Sequence, residues 1–293
     1  MGSLKPLHFD RGNATSGTPK NTGKKKQDHY HATVKYILTK ESFGFDTYAD
    51  ARLLTKMNEA KISKDIVVMF DIQSSENANV EATYYEAGNI KVETKALRKG
   101  LKAKHHLGLF GHAAMKSYQD SGYTRIVELT RDGKMLLVVE DDKLKGQLMS
   151  NFIVGAKIEP VIEGELASTT VEVVYDDYNQ FEDFGQVIKP DYRLVDLEGI
   201  FDLNFVVESA SATEIKFKAY TLDGEEVVNL VLANFKFLKA DNTAQSTVAA
   251  CSYTEGSYVA TGTGIVTGTI NTTGVIDQTK KAYEGVQESF TVS

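Results

Sequence analysis

From about Leu197 to Ser293 the chain is a succession of short alternating segments, rich in Thr, Ser, Val and Gly and broken by turn residues. Helical periodicity nowhere lasts beyond about two turns there, so this stretch is predicted to fold entirely as sheet. Strands are expected at 200–208, 214–220, 226–238, 246–253, 257–261, 263–271 and 286–292. Turns are expected at Leu222-Asp223-Gly224, Glu255-Gly256 and Thr273-Gly274. About seven short strands in so few residues is the number an immunoglobulin-like sandwich requires. The Cys–Trp–Cys core of antibody domains is absent, since the chain has no Trp and its one cysteine is Cys251.

This segment also holds the whole charge imbalance. Residues 195–293 carry 6 Lys+Arg against 13 Asp+Glu, while the remainder is neutral, giving the net −7. Acidic charge concentrated in one module is commoner in surface and assembly proteins than in small-molecule enzymes. It also argues against a general nucleic-acid binder, which needs a basic surface. A length of 293 residues suits about two domains. The expected division is a flexible arm at 1–28, a β-rich domain at 29–194 and the sandwich at 195–293.

The arm contains DRGNATSGTPKNTGKKKQD (10–28), which has no apolar periodicity to bury. It is read as a solvated arm, or as one that orders on a neighbouring subunit, with Lys24, Lys25 and Lys26 as its candidate contact residues. Three lysines are too small an electrostatic footprint for nucleic acid. No apolar run suggests a secretory signal or a membrane span, and Pro6 breaks the myristoylation pattern.

In the middle domain, 29–39, 65–73, 80–86, 90–96, 147–158 and 168–176 are expected strands, and SSENAN (74–79) an expected loop. A helix is expected over 47–60, with Asp46 as its N-cap and Lys61 and Lys64 near its end. His112–Tyr118 is a candidate short helix in an ambiguous stretch. Runs 123–130 and 134–140 flank Arg131-Asp132-Gly133, the strongest local hairpin signal in the chain. The tract DDYNQFEDFGQ (176–186) and Pro190 read as the exit from this domain.

Chemistry is sparse, and no catalytic, cofactor or metal residues are assigned. His105, His106 and His112 match no common zinc spacing and read as packing or surface residues; His29 and His31 share a strand face, but two ligands make no site. There is no phosphate-binding loop, and TGTGIVTGT (261–269) has the wrong glycine spacing. The acidic runs Glu140-Asp141-Asp142, Asp176-Asp177 and Glu182-Asp183 read as solvated loops; a hydrolase using them is the minor alternative. Tyr253, Tyr258 and Tyr283 are weighed as sugar-stacking residues against the commoner role of core or hairpin partners.

The order of segments resembles virion structural proteins of tailed bacteriophages. It runs from the arm through the helix near Thr47–Ala60 and Leu97-Arg98-Lys99-Gly100-Leu101 to the hairpin TRIVELTRDGKMLLVVEDD (124–142). It is most similar to the tail-tube or tail-associated type of phages of gut Bacteroides-like hosts, including crAss-like phages. The segment FVVESASATEIKFKAYTLDGEEV and the ending GVQESFTVS resemble the Ig-like domains that decorate such proteins. The resemblance implies a subunit without enzymatic activity or cofactor, made in the host cytoplasm and built into the virion. Its partners would be further copies of itself in a ring or tube and other virion proteins, with DNA contacted only indirectly and no membrane. Neck, head-decorating and baseplate roles fit the same features, as does a carbohydrate- or receptor-binding surface protein gripping cell-surface glycans through the sandwich. The fold expected is mainly β: a barrel or sandwich with one short helix, then an Ig-like sandwich.

Overall fold

The computed structural model describes residues 31–79, 83–87, 90–95, 99–156, 158, 166–177, 180–193, 196–245, 247–278 and 281–293. The arm at 1–28, with Lys24, Lys25 and Lys26, lies outside them, as does His29. The chain is mainly β and divides into two compact units, Met1–Leu197 and Glu198–Ser293.

In the first unit the elements are β1 (Thr33–Lys40), α1 (Leu54–Ile62), β2 (Ile66–Val68), β3 (Ser74–Asn77), β4 (Thr83–Ala87), β5 (Ile90–Lys95), β6 (Gly100–His105), α2 (Leu109–Ser117), β7 (Tyr123–Thr130), β8 (Met135–Glu140), β9 (Lys143–Lys145), β10 (Gln147–Val154), β11 (Thr169–Tyr175), α3 (Gln180–Phe184) and β12 (Gly185–Ile188). The main path of the sheet is β12-β8-β7-β10-β11-β6-β3, with β1 antiparallel along the other edge of β7. After β2 leaves β1, Met69 N–H donates to Tyr36 O (3.1 Å), Ile72 N–H to Val34 O (2.8 Å) and Gln73 N–H to Lys104 O (2.8 Å). That segment carries the chain from β1 across to β6 and curls the sheet into a half-barrel.

Strands β1 and β7 are buried on both faces, so their sequences read as continuous apolar runs. Period-two alternation sends Tyr36, Leu38 and Ile126 inward with Phe152, Val171, Val173 and Met115. It sends Ile37, Val127 and Leu129 outward against Met57 of α1 and Leu137 of β8. Each such side chain contributes about 1.5–3 kcal/mol on burial.

Four expectations need correction. The helix expected at 47–60 is a 3-10 turn, Asp50–Arg52, an extended Leu53, and then α1. Asp46 caps nothing; it pairs with Lys143 at 3.2 Å. The delay has a cause, because Phe45 exchanges two 2.9 Å backbone hydrogen bonds with Leu144 and holds the preceding chain extended. Second, SSENAN is no loop. Residues 74–77 form β3, whose backbone pairing with β6 is indifferent to polar side chains. Third, the 65–73 strand shortens to β2, and α2 starts at Leu109 instead of His112. Fourth, DDYNQFEDFGQ is no exit: it supplies α3 and the start of β12, which pairs with β8, and Leu197 is still fully buried in this unit's core.

The second unit contains β13 (Ile200–Ala210), β14 (Glu214–Thr221), β15 (Phe235–Lys239), β16 (Val248–Thr254), β17 (Ser257–Gly262), β18 (Gly268–Thr272), β19 (Ile276–Gln278), β20 (Lys281–Gly285) and β21 (Glu288–Phe290). One sheet runs β16-β17-β14-β13-β20-β19 and the other β15-β18-β21. Leaving out the β19–β20 hairpin, these are the two sheets, ABED and CFG, of an immunoglobulin-like sandwich. In β14, Ile215, Phe217 and Ala219 face the other sheet, where Phe235, Phe237 and Ile270 meet them. Phe217 stacks on Tyr258 with centroids 5.3 Å apart.

Here too the sequence reading needs adjustment. Of the expected 226–238 strand only the residues from Phe235 onward are ladder, in β15, which runs on to Lys239. Val227 and Leu230 are apolar because they plug the core, held by the Tyr258 hydroxyl, which donates to Val227 O (2.8 Å) and accepts from Leu230 N–H (3.2 Å). The hairpin β19–β20 was not expected; β20 joins β13 in parallel, a pairing no local pattern encodes.

Candidate functional site

Alternation of direction in β1-β7-β10-β11-β6-β3 brings six strand ends to one rim of the half-barrel. The starts of β1, β10 and β6 lie beside the ends of β7, β11 and β3. Around this rim is a cleft of about 600 Å³ lined by residues including His31, Thr33, Ser75, Asn77, Lys99 and Phe181. Glu128, near the end of β7, also lines it, with only 8% of its surface exposed.

Glu128 shares the inward face of β7 with Ile126. The hydroxyl of Thr33, at the start of β1, donates to one carboxylate oxygen, and the hydroxyl of Tyr175, at the end of β11, donates to the other. Gln147 Nε2, at the start of β10, lies 3.4 Å from the Tyr175-bound oxygen. A buried carboxylate needs such donors. The arrangement can accept hydrogen bonds and attract a cation.

Arg125, three residues earlier, faces the other way. Its guanidinium is 1% exposed and binds Glu41 and Glu140, each at 2.6 Å, and Gly146 O at 3.0 Å. Burial opposes its charge, but the hydrogen bonds it donates to Glu41 and Glu140 prevail and raise its pKa. Glu41, mainly through its hydrogen bond to Arg125, is held below the usual carboxylate range.

The opposite end of the half-barrel takes up the histidines. His105 is fully buried at the end of β6, with Nε2 3.1 Å from the Tyr36 hydroxyl and Nδ1 3.0 Å from Asp71 O. His112 on α2 places Nδ1 3.0 Å from Thr169 Oγ1, and His106 is half-buried. His31 lines the Glu128 cleft. Among the described residues no three His, Cys, Asp or Glu side chains group as metal ligands.

The acidic run Glu140-Asp141-Asp142 is a tight turn between β8 and β9, with Asp141 and Asp142 at φ of 51° and 57°. Glu140 holds Arg125, and Asp141 holds Lys145 at 2.7 Å. Asp176 and Asp177 follow β11, and Glu182 and Asp183 lie on α3. Among the described residues, Glu140, Asp141, Asp142, Asp176 and Asp177 are not part of the cleft lining. Two of the three glycines of 261–269 serve close packing, since a Cβ on Gly268 would sit 1.9 Å from Leu238 O and one on Gly262 2.1 Å from Thr247 O, while Gly264 supplies a positive φ of 67°. Tyr258 and Tyr283 are buried, and half-buried Tyr253 pairs across the β16–β17 hairpin with Tyr258, so all three are core or hairpin residues.

Sequence reasoning missed Glu128 and Gln147. The available signal was an acidic residue on an inward position of YTRIVELT, obscured because both faces of that strand are buried. Neither a protein-family profile nor a curated protein sequence matches this chain.

Proposed function

We propose that the chain is a non-enzymatic structural subunit of a phage virion, a tail or tail-tube protein that self-associates into rings and carries its immunoglobulin-like unit as an appendage. The observation that carries this reading is the hairpin β4–β5. Its two strands pair with each other, from Thr83↔Lys95 to Ala87↔Ile90, and with no other described strand. An isolated two-stranded hairpin is marginally stable in water. The outer edge of each strand has no partner among the described strands, and a neighbour's strand satisfies such an edge by β-augmentation. A head-to-tail contact of that kind closes into a ring when the rotation between copies allows it.

Two further features support the reading. The polar segment 1–28 has the composition of an arm that orders on a partner. The acidic second unit adds like-charge repulsion that keeps a large assembly soluble. The resemblance in segment order directs the assignment to the virion, with the protein made in the host cytoplasm.

Electron microscopy and light scattering of the purified protein test it. Rings or stacked tubes are expected, and replacing residues 83–95 by a short Gly-Ser linker should leave a monomer with an unchanged melting temperature. A wild-type protein that stays monomeric at high concentration would overturn the proposal.

A further inference from the structure

The two sheets of the second unit end in edge strands β16, β19, β15 and β21, and all but β16 carry a device that keeps edges from pairing. Strands β19 and β21 are three residues long and contain Asp277 and Glu288. Strand β15 contains Lys236 and Lys239, and residues 243–245 cover its outer edge: Lys239 N–H donates to Thr243 O (2.8 Å) and Gln245 N–H to Phe237 O (2.9 Å). Strand β16 is seven residues long, VAACSYT, and lies within the thirteen residues 242–254, which include no charged residue and no Pro. Ala249, Ala250, Ser252 and Thr254 are exposed.

The hairpin turn fixes which backbone groups of β16 face outward. Glu255 and Gly256, at φ of 54° and 78°, form a two-residue loop with both central residues at positive φ, so the flanking Thr254 and Ser257 exchange hydrogen bonds. Alternation then turns the N–H and C=O of Ser252 toward β17 and those of Cys251 and Tyr253 away from it. Among the described residues these outward groups have no hydrogen-bond partner. The 3-10 turn Leu232–Asn234 packs near β16, but Asn234 bonds instead to Val231 and Thr273.

We propose that β16 is a self-pairing edge, which docks antiparallel on β16 of a second copy about a two-fold axis at Ser252. In that register Cys251 of each copy stands opposite Tyr253 of the other, and every outward N–H and C=O of these residues finds a partner. Charge selects this occupant. Like charges directly opposite one another destabilise a strand pair, whereas here Ala250 meets Thr254 and Ser252 meets Ser252, all small and uncharged. Within this unit the matching uncharged, uncovered edge is β16 itself. Residues 195–293 carry 6 Lys+Arg against 13 Asp+Glu, so two copies repel at long range and the pairing tightens as salt screens them. The contact is separate from the β4–β5 hairpin and does not depend on ring formation.

Position-specific crosslinking of full-length protein tests the register. On a Cys251→Ala background, Ser252→Cys places two thiols on a non-hydrogen-bonded pair with Cα atoms about 4.5 Å apart, within disulfide reach. Thr254→Cys is equally exposed, but its two copies lie about 14 Å apart along the strands and out of reach. Under mild oxidation the Ser252→Cys protein should form disulfide-linked dimers at least about tenfold faster than the Thr254→Cys protein. Equal rates overturn the proposal, because any other assembly brings both positions together alike. In the wild-type protein, which needs no substitution, the Cys251 and Tyr253 amides should exchange hydrogen about tenfold more slowly in concentrated than in dilute solution, while the Ser252 amide, already bonded to β17, stays constant. Raising salt from about 0.01 M to about 1 M should increase that protection. Ser252→Lys, which sets two ammonium groups face to face, should abolish it. Exchange at Cys251 and Tyr253 that is independent of concentration overturns the proposal, and so does protection that falls with salt, the signature of a basic partner.

Discussion

Tyr36 on β1 and His105 on β6 meet inside the first unit, with the phenol hydroxyl 3.1 Å from Nε2. The other ring nitrogen, Nδ1, lies 3.0 Å from the carbonyl oxygen of Asp71. A carbonyl only accepts, so the neutral ring carries its proton on Nδ1 and Nε2 accepts from Tyr36. Desolvation lowers the His105 pKa, outweighing the Asp71 interactions that raise it. An unfolded histidine titrates near 6.5. Between that value and the lower folded one, the unfolded chain binds more protons, so stability is full above about 6.5 and is lost as pH falls below it. Urea midpoints between pH 7.5 and pH 5 should therefore decline, and His105→Gln should flatten the decline.

Arg125→Ala should destabilise the protein by about 3 kcal/mol or more, because it empties a buried site and strips two carboxylates of their cation. Glu41→Gln should cost less, within about 1 kcal/mol, since Glu41 is more than half exposed and Glu140 still holds the guanidinium. Equilibrium urea unfolding measures both.

Tyr258→Phe removes the hydroxyl that bridges Val227 O and Leu230 N–H in the buried core of the second unit. It leaves two backbone groups without that partner and should cost about 1–3 kcal/mol. Fluorescence from the remaining tyrosines or calorimetry would read the loss.

Gly268→Ala and Gly274→Ala separate two roles of glycine in one Thr-rich segment. A Cβ at Gly268 collides with Leu238 O across the β15–β18 pair, whereas one at Gly274 meets nothing within 4 Å. The first should cost about 1–3 kcal/mol. The second should stay within about 0.5 kcal/mol. Thermal melts of the two variants compare them directly.

The hairpin around Asp132-Gly133 shows what is legible locally. Gly133 takes φ 74°, and Thr130 and Lys134 close the turn as the residue types demand. The same holds for Glu255-Gly256 between β16 and β17 and for the alternation in β14. The helix start was misplaced because the Phe45–Leu144 bridge, which spans about a hundred residues of chain, overrides a good cap at Asp46. Polar β3 escaped notice because its pairing with β6 runs through the backbone.

The sequence by itself determined that this protein is mainly β, where most strands and turns fall, and that the acidic charge resides in the final segment. These follow from side-chain periodicity and turn chemistry, which act over a few residues. Tertiary structure alone decided that Glu128 and Arg125, three residues apart, meet opposite fates: one among neutral donors in a cleft, the other clamped by two carboxylates. That outcome depends on which strand ends reach the same rim, and antiparallel order among distant strands is set by packing of the whole sheet, not by any local pattern.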